Sequence, residues 1–339
     1  MSFPSHASPP VIHALLLDKL LRSPSQPVTI HALSQATGLS IPAVHEELTR
    51  LTAAGCELES HPHQGVTLHR TGAGSWTDYL QWRLGPHRPI VVFSRTASTQ
   101  DAAKRQLGFH GPAAHSCAVI TDEQYAGRGR LGRTWAAPPG SAVTMSLVHV
   151  AATSNSGQPS PLSVDHLIFA TAVAVAQGIE AAVDHKLETR IKWPNDILID
   201  GQKIAGILVE TVTLTGGRPA AVIGVGINVG STPDLSVIDT HRGPRMATSL
   251  FDQGQRVDRL RVMGEVLAAM DHALTLEDPS PLVEQWRHRS VLQAQSISFQ
   301  TPEGIVTGRV MDIDPHEGLI VRSDSGAILH LPAATTSVM

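Results

Sequence analysis

The chain has 339 residues, of which 42% are hydrophobic and 17% charged, and a formal net charge of −4. That length suits two or three domains of a soluble globular protein, and the slightly negative balance excludes a protein held on nucleic acid or an anionic membrane by its overall charge. The 2 cysteines, Cys56 and Cys117, fall in different modules, which excludes a disulfide framework and points to a reducing, cytoplasmic compartment.

The first ten residues lack a basic stretch followed by an apolar run, so no signal peptide is expected. Residues 11–70 read as a small unit of their own. Apolar residues at helical spacing predict a helix over 11–21, and Ile30, Leu33 and Ala36 predict a second, short one broken by Gly38. Ser40 is placed to cap a third helix, Pro42 suits its first turn, and Val44, Leu48 and Leu51 form its buried face. Alternation in 56–59 and 66–69, joined through a turn at 61–65, predicts a hairpin. Three helices and a hairpin make a winged helix-turn-helix. Its reading helix, 42–53, carries Glu46 and Glu47 against Arg50. Across residues 1–70, Lys19, Arg22, Arg50 and Arg70 face Asp18, Glu46, Glu47, Glu57 and Glu59. Phosphate contacts dominate DNA affinity, and this unit offers few.

Residues 71–86 have weaker periodicity and read as a connector. Beyond Pro89 strands are expected at 90–93, 118–121, 143–150, 190–193, 197–199, 204–210 and 222–229, with helices at 99–106, 165–183, 259–276 and 282–288. A polar loop is expected at 151–163, and Asp200-Gly201 is a hairpin-turn dipeptide. The apolar run 167–183 is interrupted by Gln177, Gly178 and Glu180, and reads as a buried helix too short and too polar to span a bilayer. From residue 297 short strands alternate with Gly304, Gly308, Gly318 and Gly326, a small β-barrel pattern. The expected class is α/β (α+β), divided into a winged helix over 8–70, a linker over 71–88, a main α/β unit over 89–290 and a barrel over 291–339. The 18 histidines are scattered; the one tight pair, His61-Pro62-His63, reads as a solvated turn rather than a metal site.

Two segments carry chemistry. Gly127-Arg128-Gly129-Arg130-Leu131-Gly132-Arg133-Thr134-Trp135 joins glycines, which let backbone N–H groups approach a ligand, to arginines, which donate to carboxylate or phosphate. It matches the GxGxxG fingerprint of dinucleotide sites by letter only, because no helix follows it, and no Gly-Lys-Ser/Thr makes it a Walker loop. Lys192-Trp193-Pro194-Asn195-Asp196 ends a strand at Pro194 and projects Asn195 and Asp196 from its tip, where α/β sheets usually bind ligands. Lys203 follows in an otherwise apolar strand. The set suits a site where two anions are brought together against their repulsion.

With these segments in their order, together with Ser98-Thr99-Gln100, Gln124, Lys203-Ile-Ala-Gly206-Ile-Leu-Val-Glu210 and Ile223-Gly-Val-Gly226-Ile-Asn228, the chain resembles biotin–protein ligases of the bifunctional kind, the biotin operon repressor family, from about residue 11 to 321. The resemblance implies a class II synthetase-like mixed-sheet core and a C-terminal SH3-like barrel. It implies ATP, Mg²⁺ and biotin, with a biotin carboxyl carrier protein of acetyl-CoA carboxylase or a related carboxylase as acceptor, a homodimer, operator DNA, and no membrane. By that resemblance Ser98, Thr99, Gln100, Gln124, Gly127, Arg128, Gly129, Arg130 and Gly206 hold biotin. Lys203 faces its carboxylate and the α-phosphate, and is catalytic with Arg128. Arg130, Trp135, Lys192, Asn195, Asp196 and Asn228 serve ATP and its magnesium, Trp135 by packing on adenine. Two departures stand out: Gln100 where the family more often has asparagine, and Pro332-Ala-Ala-Thr-Thr where it has Gly-Glu-Val. One alternative is a lipoate–protein ligase, whose Arg-Arg-x-Ser-Gly-Gly-Gly-like loop is missing here. The other is a biotinyl-AMP-sensing transcription regulator without ligase activity, which requires a basic reading helix.

Overall fold

A computed structural model describes residues 13–153, 160–233, 247–292 and 295–339. The expected start of the first unit at residue 8, residues 11–12 of its first helix and residues 154–159 of the polar loop lie outside the described residues. The N-terminal unit consists of α1 (Ala14–Leu21), α2 (Ile30–Thr37), α3 (Ile41–Ala53), β1 (Glu57–His61) and β2 (Gly65–Arg70). Thr29 caps α2 by accepting from the Ala32 N–H at 3.1 Å, and Gly38 ends it in the left-handed region at φ +74. Leu16, Leu17, Leu20, Leu33, Val44 and Leu51 close the core of this unit. Glu47 is not on the reading surface: it is 3% exposed, with one oxygen accepting from the His13 N–H and the other from Arg50 at 2.9 Å.

The stretch expected as a connector is a structural element. It holds α4 (Trp76–Leu84), with Trp76, Tyr79 and Leu80 buried. Trp82, exposed on the other side, dilutes the apolar pattern that would reveal it. Trp76 Nε1 donates to Thr71 Oγ1 at 3.0 Å, and Thr71 donates its N–H and hydroxyl to Asp258 at 2.8 and 2.7 Å. Tyr79 reaches back to Asp18 of α1 at 3.1 Å, so this segment packs on both of its neighbours.

A seven-stranded sheet follows, formed by β3 (Ile90–Thr96), β4 (Ala118–Gln124), β5 (Ala142–Val150), β6 (Arg190–Lys192), β7 (Asp196–Ile199), β8 (Gln202–Thr213) and β9 (Pro219–Asn228), in the order β3-β4-β5-β9-β8-β7-β6. Only β3 and β4, joined through α5 (Thr99–His110), are parallel; the other pairs are antiparallel. One face (Ile120, Val143, Met145, Leu147, Ile223, Val225, Ile227) packs under α6 (Val164–Ala182) and α7 (Arg259–Thr275). The 19 residues of α6 are enough to cross a membrane by length and composition, more than the sequence reading allowed, but the helix is buried here against α7. Its Gly178 lets the two helices touch, since a Cβ there would lie 2.8 Å from Val266 Cγ2. On the other face Val119, Val148, Ala220 and Val222 meet Ala102, Ala103 and Leu107 of α5.

After α8 (Ser280–Arg289), a five-stranded antiparallel sheet has the order β13-β12-β11-β10-β14, with β10 (Ser296–Thr301), β11 (Gly304–Asp314), β12 (Gly318–Ser323), β13 (Ile328–Leu331) and β14 (Ser337–Val338). Phe299 meets Trp193 edge-on at 6.3 Å and seats this sheet beside the β6–β7 turn.

Candidate active site

The site lies on the α5 face of the central sheet, just beyond the N-terminus of that helix. Cross-strand register places Thr121, Thr144, Ser146, Gly206, Gly224 and Gly226 on the same face as the valines under α5. Where those valines give way to small residues, the sheet leaves a pocket. Gly226 and Gly206 are floor: a Cβ on Gly226 would run into the Trp135 ring at 2.3 Å, and one on Gly206 would crowd Lys203 Nζ at 3.0 Å and the same ring at 3.1 Å. The loop from Gly127 to Trp135 forms the wall and closes on itself, with Trp135 N–H on Gly127 O at 2.9 Å and Gly129 N–H on Arg133 O at 2.7 Å. No helix follows this loop. Leu131 takes a left-handed φ of 56 within a single turn, so the dinucleotide reading fails on structure as it did on sequence.

One end of the pocket is lined by neutral polar side chains, with the Arg128–Asp101 ion pair beside them. Ser98, Thr99 and Gln100 start α5 there, the Thr99 N–H donates to Gln124 Oε1 at 2.8 Å, and Ser146 donates to Thr99 Oγ1 at 2.9 Å. The other end is cationic. Lys203 pairs with Asp196 and lies 5.7 Å from the Trp135 ring centre. Arg130 donates to Asn195 Oδ1 at 3.4 Å and to the carbonyls of Ala333 at 2.7 Å and Thr336 at 3.0 Å, which ties the loop to the C-terminal segment. Burial pulls the Arg130 guanidinium below its ordinary pKa, and Asp196 pushes the other way.

Of the residues singled out from sequence, Ser98, Thr99, Gln100, Gln124, Arg128, Gly129, Arg130, Trp135, Asn195, Asp196, Lys203 and Gly206 line this one pocket. Gly127 stands behind the wall, where a Cβ would meet Gln124 Nε2 at 2.6 Å. Lys192 lies in the adjoining cleft with Arg133 and β14. Asn228 lies beyond the floor, 2% exposed; its Nδ2 donates to Thr248 O at 2.9 Å and its buried Oδ1 has no partner. Arg128 has a structural partner that the sequence did not suggest. Asp101 takes it in a two-pronged pair at 2.7 and 2.8 Å, and this contact raises the pKa of Arg128 and lowers that of Asp101. Sequence reasoning also missed Thr144 and Ser146. Their signal is the polar–apolar alternation through Val143, Thr144, Met145, Ser146 and Leu147, which marks a second, polar face on a central strand.

Residues 92–228 match the Biotin/lipoate A/B protein ligase family. The bifunctional ligase/repressor BirA of Bacillus subtilis is 30% identical over 310 residues, covering 87% of this chain and 89% of its own. The chain belongs to the biotin protein ligase family. The biotin--[acetyl-CoA-carboxylase] ligase of Paracoccus denitrificans is also 30% identical, over 72% of this chain and 98% of its own. In fold, this biotin protein ligase family member is similar to the Aquifex aeolicus biotin protein ligase solved with biotin and ATP, at TM-score 0.58 and 21% identity, over 74% of this chain and 99% of that one. The mixed-sheet core expected from the sequence is therefore that of its family.

Proposed function

We infer that this protein is an ATP-dependent biotin–protein ligase that makes biotinyl-5′-AMP and transfers the biotinyl group to a lysine of a biotin carboxyl carrier protein. The observation that carries this reading is the polarity of a single pocket, with neutral hydrogen-bonding groups at the α5 end and Lys203 and Arg130 at the other. A ureido ring fits the first end and a carboxylate beside a phosphate fits the second.

The first step joins a carboxylate oxygen of biotin to the α-phosphorus of ATP and breaks the bond to pyrophosphate. The nucleophile is ionised at neutral pH and needs no base, so the barrier is the meeting of two anions. Lys203, whose Nζ is held by Asp196 beside the Trp135 ring, supplies positive charge where it builds in the transition state. In the second step a lysine amine attacks the acyl carbon, AMP leaves and the amine loses a proton. The looped wall 127–135 keeps water from the mixed anhydride between the two steps. Asn228 Oδ1, unpartnered while Nδ2 donates to Thr248 O, is suited to accept from a nucleotide base. Mg²⁺ needs oxygen donors and usually keeps several waters beside one or two carboxylates and the substrate's phosphates. Asp196 and Asn195 fit that role, and the ion would neutralise the leaving pyrophosphate.

Biotin-dependent exchange of pyrophosphate into ATP tests this reading. Exchange with biotin and none with lipoate supports it, and the reverse preference would replace it with the lipoate alternative.

A repressor role is a second reading, favoured by the N-terminal three helices and hairpin and by a ligase/repressor relative that aligns over 87% of the chain. With Glu47 internal, Glu46 is the acidic side chain left exposed on α3, at 70%, beside a half-exposed Arg50. We propose weak, salt-dependent operator binding by a homodimer. We further divide the chain into a winged helix up to residue 70, a catalytic unit over 89–290 and an SH3-like barrel over 291–339, and place the protein in the cytoplasm, where both cysteines, free and buried, stay reduced.

A further inference from the structure

The wall loop is pinned on two sides. On one side Arg128 gives Nη1 and Nη2 to the two oxygens of Asp101, in the first turn of α5, at 2.7 and 2.8 Å. On the other, Arg130 grips the carbonyls of Ala333 and Thr336 and the side chain of Asn195. The two pins differ in their surroundings. The Arg128 and Asp101 side chains are 38% and 42% exposed, so water and salt reach the pair. Arg130 is half-buried, and its short contacts are to backbone carbonyls, which no added salt replaces.

Gly129 lies between the pins. Its φ of −115 and ψ of −178 suit any residue, and a Cβ there would meet nothing nearer than Arg133 O at 3.6 Å. The closed loop therefore does not require glycine at this position. Gly127 is different, because a Cβ on it would lie 2.6 Å from both Trp135 O and Gln124 Nε2. What glycine adds at 129 is backbone freedom for a second arrangement. Glu210, the other carboxylate near Arg128, is a weak competitor for it. It lies 3.5 Å away, and its oxygens already take Lys104 at 3.0 Å and Gln100 Nε2 at 2.9 Å. The pair with Asp101 is thus the contact that decides where Arg128 sits.

We propose that Asp101 is the lock of this loop: the wall opens on its α5 side by parting Arg128 from Asp101 and turning about Gly129, while Arg130 stays on the C-terminal segment. Asp101 does not line the pocket, so it is a positioning residue, and it sets how long biotinyl-AMP is retained. This rests on the ligase reading of the site and deepens it.

The test loads the full chain with labelled biotinyl-AMP and times its release in an excess of the unlabelled adenylate. Asp101→Asn, which keeps the shape and removes the charge, should speed release by roughly threefold to tenfold. Asp101→Glu, which restores the charge, should bring the rate most of the way back. The gap between Asp101→Asn and the wild type should close as salt rises from about 0.01 to 1 M, since an exposed pair is screened. Arg128→Gln should also speed release, and adding Asp101→Asn to it should change nothing further, because both break one contact. Gly129→Ala, which the closed loop can hold, should slow release. A carboxylate in the first turn also favours the helix that carries it. That purely structural role would lower the melting temperature of Asp101→Asn and leave release as in the wild type, and this result overturns the proposal. So do additive effects in the double variant, or release from Gly129→Ala as fast as from the wild type. A wild type that forms and holds no biotinyl-AMP overturns the function reading, and the proposal with it.

Discussion

At the residue scale, the proposed catalysis gives two cations different duties. Lys203 is a half-exposed side chain paired with Asp196, so its contribution to stability is small. Lys203→Met should reduce biotin-dependent pyrophosphate release by about a hundredfold or more while the melting temperature barely moves. Undiminished release would make Lys203 a bystander. Arg130 is a latch, gripping the backbone of Ala333 and Thr336 as well as Asn195. Arg130→Gly should free the wall loop from the C-terminal segment and let biotinyl-AMP escape before transfer, read as labelling of bystander lysines in an unrelated protein. Retention as tight as in the wild type would remove the latch from the account. The backbone carbonyls of the segment that replaces Gly-Glu-Val make this grip, which is why the sequence departure there does not leave the arginine without acceptors.

At the element scale, α4 decides how the N-terminal unit can be separated from the rest. Trp76 and Leu80 are completely buried and Tyr79 nearly so, and Thr71 is bound to Asp258, which also caps α7 by accepting from the Leu260 N–H at 2.7 Å. A chain starting at Thr71 should fold and ligate. A chain starting at residue 89 loses this packing and should be insoluble or melt far lower, as thermal denaturation of the two would show. Equal melting temperatures would return 71–88 to the status of a linker. Most helices and strands were legible, because their apolar spacing is long and their caps are marked, as Ser40, Gly38 and Asp200-Gly201 are. What stayed hidden had a physical reason. The nine residues of α4 are too few for a clear period with Trp82 on the wrong side. Glu47 reads as surface charge because its partner is a backbone N–H thirty-four positions away. The pocket's cationic residues were visible as types, but Asp101 and Glu210 were not, since the contacts that give them a role cross between elements.

At the scale of the whole molecule, histidines at the far end of the sheet make stability depend on pH. His149 on β5 is pushed down to about 4, first by burial and then by His115 and His166. Burial also lowers His115, helped by Arg218 and Arg88 and opposed by Asp271, and it lowers His166, which stacks on His316 at 5.1 Å. In the unfolded chain these groups titrate near 6.5. Below that pH the unfolded state takes up protons that the folded state refuses. The stability His149 contributes is thus complete above about pH 6.5 and is lost as the pH falls toward 4, on the order of 3 kcal/mol for this group alone. Urea melts should show the loss between pH 7 and 5, and His149→Gln should flatten that slope; an unchanged slope would place the proton uptake elsewhere.

For the whole reaction, the two ends of one pocket are proposed to join biotin to a carrier lysine by way of an adenylate. Mass spectrometry of a purified biotin carboxyl carrier domain, incubated with the full chain, ATP, Mg²⁺ and an equal mixture of biotin and lipoate, measures this directly. The expected product is one biotinyl group on a single lysine, dependent on ATP and absent with Lys203→Met. A lipoylated carrier, or an unmodified one in the presence of an enzyme that binds biotin and ATP, would contradict it.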